Sequence, residues 1–364
     1  IEGIIFFILS ILNIREKIVE AIPLGVRYGI APAIGLMLMN IGLGSNVGIY
    51  AAGNDFTTPF FMMRDFFGAL TPSVIRDYMG ADGYTQMVLT VATAFIGLFV
   101  IILLAKKGVK AAVLLGMLVA SVIYWAGEAI FMGVNPFASL SSASFVPPFA
   151  DMMNLTFFKF DFAGFFQLGW FTAITLILTF CMIDMFDTIG TLVGTASRAG
   201  MVNEKGEMPN MKEALLSDAV GTVVGACTGT STVTTFIESA SGVAVGGRTG
   251  LTALTTGLLF LASMFFAPIF TAIPSFATAP ALMMVGYLMV STVTEIRFDE
   301  DNMAEAIPAY LAIVAMPLFY SISEGISMGI ISYVVLHVLS GKGKKVKPLM
   351  YVLAVLFVLK YIFL

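Results

Sequence analysis

The stretch "FCMIDMFDTIGTLVG", residues 180–194, sets Asp184 and Asp187 inside a run that otherwise has the composition of a segment dissolved in lipid. Read as a helix, it brings Asp184, Asp187, Thr188 and Thr191 to positions i, i+3, i+4 and i+7. All four then share one face, and Cys, Met, Ile, Phe and Leu fill the others. A carboxylate at mid-bilayer costs on the order of several kcal/mol unless it meets water, a partner, a ligand or a proton, so this face is expected to line a cavity. The plainer alternative, a hydrogen bond to a neighbouring helix, explains one intramembrane Asp more easily than two on the same face.

The remainder of the chain agrees with a membrane setting. Of 364 residues, 59% are hydrophobic and 12% charged, whereas about a quarter of the residues of a soluble domain are charged. The apolar surplus runs along the whole length and not into one terminal anchor, which marks a polytopic membrane protein. A net charge of −4, without a basic stripe interleaved with aromatics, gives no reason to expect nucleic acid as a partner. Cys181 and Cys227 both lie in apolar runs, where a thiol reads as a small hydrophobe and not as half of a disulfide.

Runs long enough to cross ~30 Å of hydrocarbon at ~1.5 Å per residue are read at about 24–50, 86–105, 109–132, 167–194, 249–271, 275–294, 304–321 and 324–340. Residues 1–13 look like the end of another, 213–229 is marginal and rich in small residues, and 349–364 is apolar but short. Most of the basic residues, from Arg15, Lys17 and Arg27 to Lys342–Lys347, then fall on one side, which the positive-inside rule makes cytoplasmic. Loops 51–85 and 133–165 face outward and carry no chemical motif.

"AIPLGVRYGIAPAIGLMLM" from Ala21 echoes "AIPSFATAPALMMVGYLM" from Ala272, at a separation of about 250 residues. In the orientation above the first copy starts inside and the second outside, so the expectation is a pair of inverted repeats, as in duplicated transporters. The chain opens at Ile1 within an apolar run, and the repeat logic implies that about three spans precede it.

A second unusual stretch is "GTSTVTTFIESASGVAVGGRTG", residues 229–250. "STVTTF" is β-branched and suits a short extended piece, and "IESASGVAVG" suits a half-helix of about ten residues. Extended backbone at membrane depth must line a cavity or be buried in protein, because its N–H and C=O groups need partners. Glu238 falls near the start of the half-helix, where the positive end of the helix dipole favours an anion or an acceptor. Asp218 reads as a structural partner of this segment's backbone, Glu324 as an interfacial or capping residue, and His337 as a satisfied interfacial residue. With one His, no metal site or cofactor is expected.

"DMFDTIGTLVGTASRAG" and "ALLSDAVGTVVGACTGTSTVTTFIESASGVAVGGRTGLTALTTGLLF" closely resemble the AzgA-like purine permeases of the nucleobase–cation symporter-2 family, and the likeness runs on to "PLMYVLAVLFVLKY". The resemblance implies an all-α polytopic membrane protein of fourteen spans in two inverted repeats of seven, with short broken strand and half-helix segments. By that resemblance spans 1–3 are expected to precede Ile1. By that scheme residues 1–23 end span 4 (core), 24–135 are spans 5–7 (gate) and 136–165 an outer loop. Residues 166–272 are spans 8–11 (core, with the substrate site), 273–341 spans 12–14 (gate), and 342–364 a basic loop with an additional apolar segment.

The resemblance also assigns Asp184, Asp187 and Glu238 to the substrate, and one carboxylate of the three is expected to cycle the proton. A purine offers N–H donors to carboxylates and acceptors to hydroxyls, so Thr188, Ser231, Thr232 and Thr234 are further binding candidates. The expected activity is import of hypoxanthine, guanine or adenine across the cytoplasmic membrane, by proton symport and an elevator-like core movement, with the proton as the only cofactor. The expected partners are a purine and the lipid bilayer, and homodimerisation stays open. Rival readings are transport of uracil or xanthine, and of an anion such as sulfate, which the acidic face would repel. A membrane hydrolase is a weaker rival, because neither a Ser/His pair nor a metal cluster is present and the chain is not expected to be an enzyme.

Overall fold

The computed structural model describes residues 1–46, 50–51, 62–63, 72–138, 140, 143–203, 208–236 and 238–363. Most of the loop expected at 51–85 lies outside these residues. Its described parts are a two-residue antiparallel ladder, Tyr50–Ala51 against Met62–Met63, and a helix that already begins at Pro72.

The apolar runs are helices: α1 (Glu2–Ile11), α2 (Ile14–Ala21), α3 (Leu24–Ile41), α4 (Pro72–Lys106), α5 (Ala112–Gly127), α6 (Trp170–Ala199), α7 (Met211–Thr228), α8 (Ser239–Ala244), α9 (Gly250–Ser263), α10 (Ala279–Val290), α11 (Met303–Phe319), α12 (Ile322–Leu339) and α13 (Pro348–Phe363). Gly80 breaks α4 with φ 73° and ψ 173°, so the spanning part is Gly80–Lys106. Leu24–Gly44, Ala112–Met132, Thr172–Ala196, Gly250–Thr271, Phe276–Glu295 and Ile322–Leu339 are likewise long and apolar enough to cross a bilayer. α1, α11 and α13 are apolar but shorter.

The chain packs as two compact units. The first comprises Ile1–Leu36, Pro148–Ala244 and Met289–Leu364, and the second Met37–Pro147 and Val245–Leu288. In lipid, helices gain little from hiding apolar surface from one another, so association relies on close contact, and small residues allow it. Within the first unit, α11 shows this on two sides. A Cβ on Gly25 or Gly29 of α3 would lie 2.8 Å from the Glu305 carbonyl oxygen or 3.1 Å from that of Ala309. On α12, a Cβ on Gly325 or Gly329 would lie 3.0 Å from the carbonyl oxygen of Ala312 or 3.3 Å from that of Pro308. Tyr320, in the left-handed region at φ 58°, turns the chain from α11 into α12.

In the second unit α4 and α5 cross where Gly97 and Gly116 face each other's backbone. Val91, Ala94, Ala120, Tyr124, Phe276 and Met283 form its core, with the Tyr124 and Phe276 rings 4.3 Å apart. Leu251, Leu254, Leu258 and Phe260 of α9 are exposed.

His337 is buried instead of interfacial: its Nδ1 lies 3.0 Å from the Tyr333 carbonyl oxygen, and Nε2 lies 3.8 Å from Glu305. A polar ring in the α11–α12 packing needs both contacts.

The close approach of α3 to α11 gives a direct test. Gly25→Val puts a branched side chain against backbone that cannot rotate away and is expected to destabilise the protein by about 1–3 kcal/mol. Gly257→Ala, where a Cβ meets nothing within 4 Å, should leave the thermal midpoint in detergent unchanged.

Candidate functional site

On α6, Asp184, Thr188 and Thr191 are buried and Asp187 is partly buried, whereas Ile174, Leu178 and Phe180, nearer the start of the helix, are exposed. Met185, Phe186, Ile189 and Val193 are buried as well, so this part of α6 is enclosed in protein on its apolar and its polar faces alike. The protein there belongs to the first unit: α1, α7, the segment after α7, α8 and the start of α12.

α7 ends at Gly229, whose left-handed φ of 81° reverses the chain. Residues 230–236 then run without helix, and α8 follows as six residues, shorter than the ten expected. Gly225 makes room for the returning strand, since a Cβ there would meet Val233 Cγ2 at 2.5 Å and the Ser231 carbonyl oxygen at 3.3 Å. Thr222 Oγ1 donates to the Val233 carbonyl oxygen at 3.0 Å, supplying a partner that extended backbone in this setting needs.

This strand meets the acidic face through hydroxyls. Thr232 Oγ1 donates to Asp184 Oδ2 at 3.3 Å, and the Thr188 and Thr234 hydroxyls are 2.7 Å apart. Thr188 Oγ1 and Thr235 Oγ1 also donate to Asp218 Oδ1, at 3.1 and 3.4 Å. The structure therefore brings Asp184, Thr188, Thr232 and Thr234 into one cluster. Asp187, a turn along α6, lies near the backbone N–H of Ser323, and its Oδ1 is buried with no hydrogen-bond partner among the described residues. Ser231 and Glu238 are exposed, and Glu238, at the start of α8, is not joined to this cluster through its side chain.

Asp218 has a different partner from the one expected. Its Oδ2 is 3.0 Å from Arg15 Nη2 of α2, and both side chains are almost fully buried. Arg15 also donates through Nη1 to the Leu215 carbonyl oxygen at 3.1 Å and lies 4.2 Å from the centre of the Phe6 ring. Arg15, one of the basic residues expected on the cytoplasmic side, is thus buried in an ion pair and gives Asp218 a cation that offsets its burial. Glu2 of α1 adds a further carboxyl group facing Asp184. Among the described residues no cluster of His, Cys, Asp and Glu is arranged to hold a metal ion.

Breaking a buried pair strands one charge and costs about 3–5 kcal/mol, whereas removing both members is far milder. Arg15→Leu and Asp218→Leu should each lower the unfolding midpoint strongly, and the double variant should recover much of the loss. Additive losses in a double-mutant cycle would show that the two do not act as a pair.

The family model Xan_ur_permease, a permease family, matches residues 1–328. The chain is 35% identical to the adenine permease AdeP of Escherichia coli, over 98% of this chain and 71% of that protein. It is 37% identical to two guanine/hypoxanthine permeases of Bacillus subtilis: PbuO, over 98% of this chain and 74% of that protein, and PbuG, over 100% and 74%. The chain thus belongs to this permease family, and it is a multi-pass membrane transporter and not an enzyme.

Proposed function

We propose that this transporter carries purine nucleobases, importing hypoxanthine, guanine or adenine together with a proton. The observation that carries the reading is the concentration of carboxylates and hydroxyls at Asp184, Asp187, Thr188, Thr232 and Thr234, on α6 and the segment after α7. A purine presents ring and exocyclic N–H donors beside carbonyl or ring-nitrogen acceptors. Carboxylates take the first, and hydroxyls, which both donate and accept, answer the second. The adenine and guanine/hypoxanthine permeases among its relatives point to the same substrate class. An anion such as sulfate would be repelled here.

Within this reading Asp187 is the first substrate contact, because its Oδ1 lacks a partner, whereas Asp184 is already engaged by Thr232 and supports the site. Ser231 and Glu238, exposed beside the broken segment, provide additional polar groups for the base. One of Asp184, Asp187 and Glu238 carries the proton, since an intramembrane carboxylate that alternately binds and releases a proton can couple substrate and ion. The core (1–23 and 166–272) moves against the gate (24–135 and 273–341) in an elevator-like step, as inverted-repeat transporters allow.

Uptake of radiolabelled hypoxanthine by cells producing the protein tests this. A charged hydrogen bond is worth about 1.5–3 kcal/mol, so Asp187→Asn and Glu238→Gln should each reduce uptake about tenfold or more at normal membrane levels. A protonophore should abolish accumulation, and excess adenine or guanine, but not sulfate, should compete. Uptake indifferent to the protonophore would refute proton coupling, and competition by sulfate would refute the substrate class.

A further inference from the structure

Helix α13 lies beyond residue 328, where the family match ends, and the reading above gives it no task. Its last turn nevertheless brings a cation into the first unit. Lys360 is nearly buried and pairs with Glu324 Oε1 at 2.5 Å. The Tyr361 hydroxyl bonds the second Glu324 oxygen and Ser327 Oγ. A lysine near the end of an apolar helix ordinarily extends its ammonium to the water interface. Here it turns inward to a carboxylate, an arrangement that is costly within a membrane unless the pair has a role.

Glu324 is the third residue of α12, in the turn capped by Ser321 Oγ, which accepts the Glu324 backbone N–H at 3.3 Å. The same turn packs on α6, where a Cβ on Gly190 would lie 2.9 Å from Ile322 Cγ2, and this brings the Ser323 N–H near the Asp187 carboxyl group. The positive end of the α12 dipole thus faces two carboxylates, Glu324 and Asp187, and the cation sits at the negative end of α13. A second link joins the same elements: Phe357, one turn before Lys360, packs on Phe186, the neighbour of Asp187, with ring centres 4.9 Å apart and both rings fully buried. Lys360 also interacts electrostatically with Asp187.

We propose that Lys360 is a positioning residue of the transport site. By clamping Glu324 it fixes the first turn of α12, so that the Ser323 N–H holds Asp187 in the orientation that receives the substrate, and the C-terminal helix becomes a working part of the transport unit. This rests on Asp187 as a substrate contact.

The test compares hypoxanthine uptake kinetics of the wild-type protein with Lys360→Met, Lys360→Arg and Glu324→Gln. It adds amide hydrogen exchange over residues 321–326 of the purified protein. Loss of a charge-assisted contact is expected to raise KM about tenfold in Lys360→Met while leaving Vmax within about twofold. Lys360→Arg should return KM to near the wild-type value, a rescue that a purely structural role for this helix would not give. An unchanged KM in Lys360→Met, or no rescue by Lys360→Arg, overturns the proposal. If Lys360→Met does not reach the membrane, Glu324→Gln reads the same link, and an unchanged KM there overturns it equally. If the wild-type protein takes up no purine, the substrate reading fails by itself and hydrogen exchange decides: faster exchange at 321–326 in Lys360→Met or Glu324→Gln upholds the clamp, and unaltered exchange removes it.

Discussion

The buried ion pair between Arg15 and Asp218 is the constraint around which the first unit is organised. Two charges withdrawn from water are tolerated only where geometry is good and the remaining donors and acceptors find partners. Asp218 meets that condition with the hydroxyls of Thr188 and Thr235, and Arg15 meets it in part with the Leu215 carbonyl and the face of Phe6, its Nε having no partner among the described residues. Each of these partners lies on a different part of the chain. One ion pair therefore fixes α1, α2, α6, α7 and the extended segment relative to one another.

That arrangement separates structural from chemically available polar groups. Asp218 is fully engaged, and Asp184 is held by Thr232. Asp187 keeps an oxygen without a partner among the described residues and lies near the start of α12. An unsatisfied buried carboxylate oxygen is costly to a protein that never binds anything there. In a transporter the same group gives a substrate N–H something to bind. The close packing of α3, α11 and α12 through Gly25, Gly29, Gly325 and Gly329 gives that site a rigid backing, because backbone contacts of this kind leave no room for side-chain adjustment.

The parts of this architecture set by local physics could be read from the sequence. The bilayer dictates segment length, so the apolar runs became helices with few changes. Helical spacing placed Asp184, Asp187, Thr188 and Thr191 on one face, and the β-branched, glycine-bounded run at 230–236 was recognisable as non-helical. Pairings across long separations were not legible. Nothing local to Arg15 distinguishes it from a cytoplasmic anchor, and its partner is 203 residues away. Lys360 and Glu324 each look interfacial in isolation, and only the antiparallel packing of α12 and α13 unites them. The early start of α4 followed the same pattern: the polar stretch before residue 86 resembles a loop, and the helix passes through it with a break at Gly80.

The central claim is that the acidic face of α6 is a wall of the substrate site. A structure determined with hypoxanthine bound tests it most directly. The expected result is the base lodged between α6 and the extended segment, with a ring N–H about 3 Å from an Asp187 carboxylate oxygen and the Arg15–Asp218 pair intact behind it. A base bound elsewhere, with Asp187 still lacking a partner, would contradict the claim.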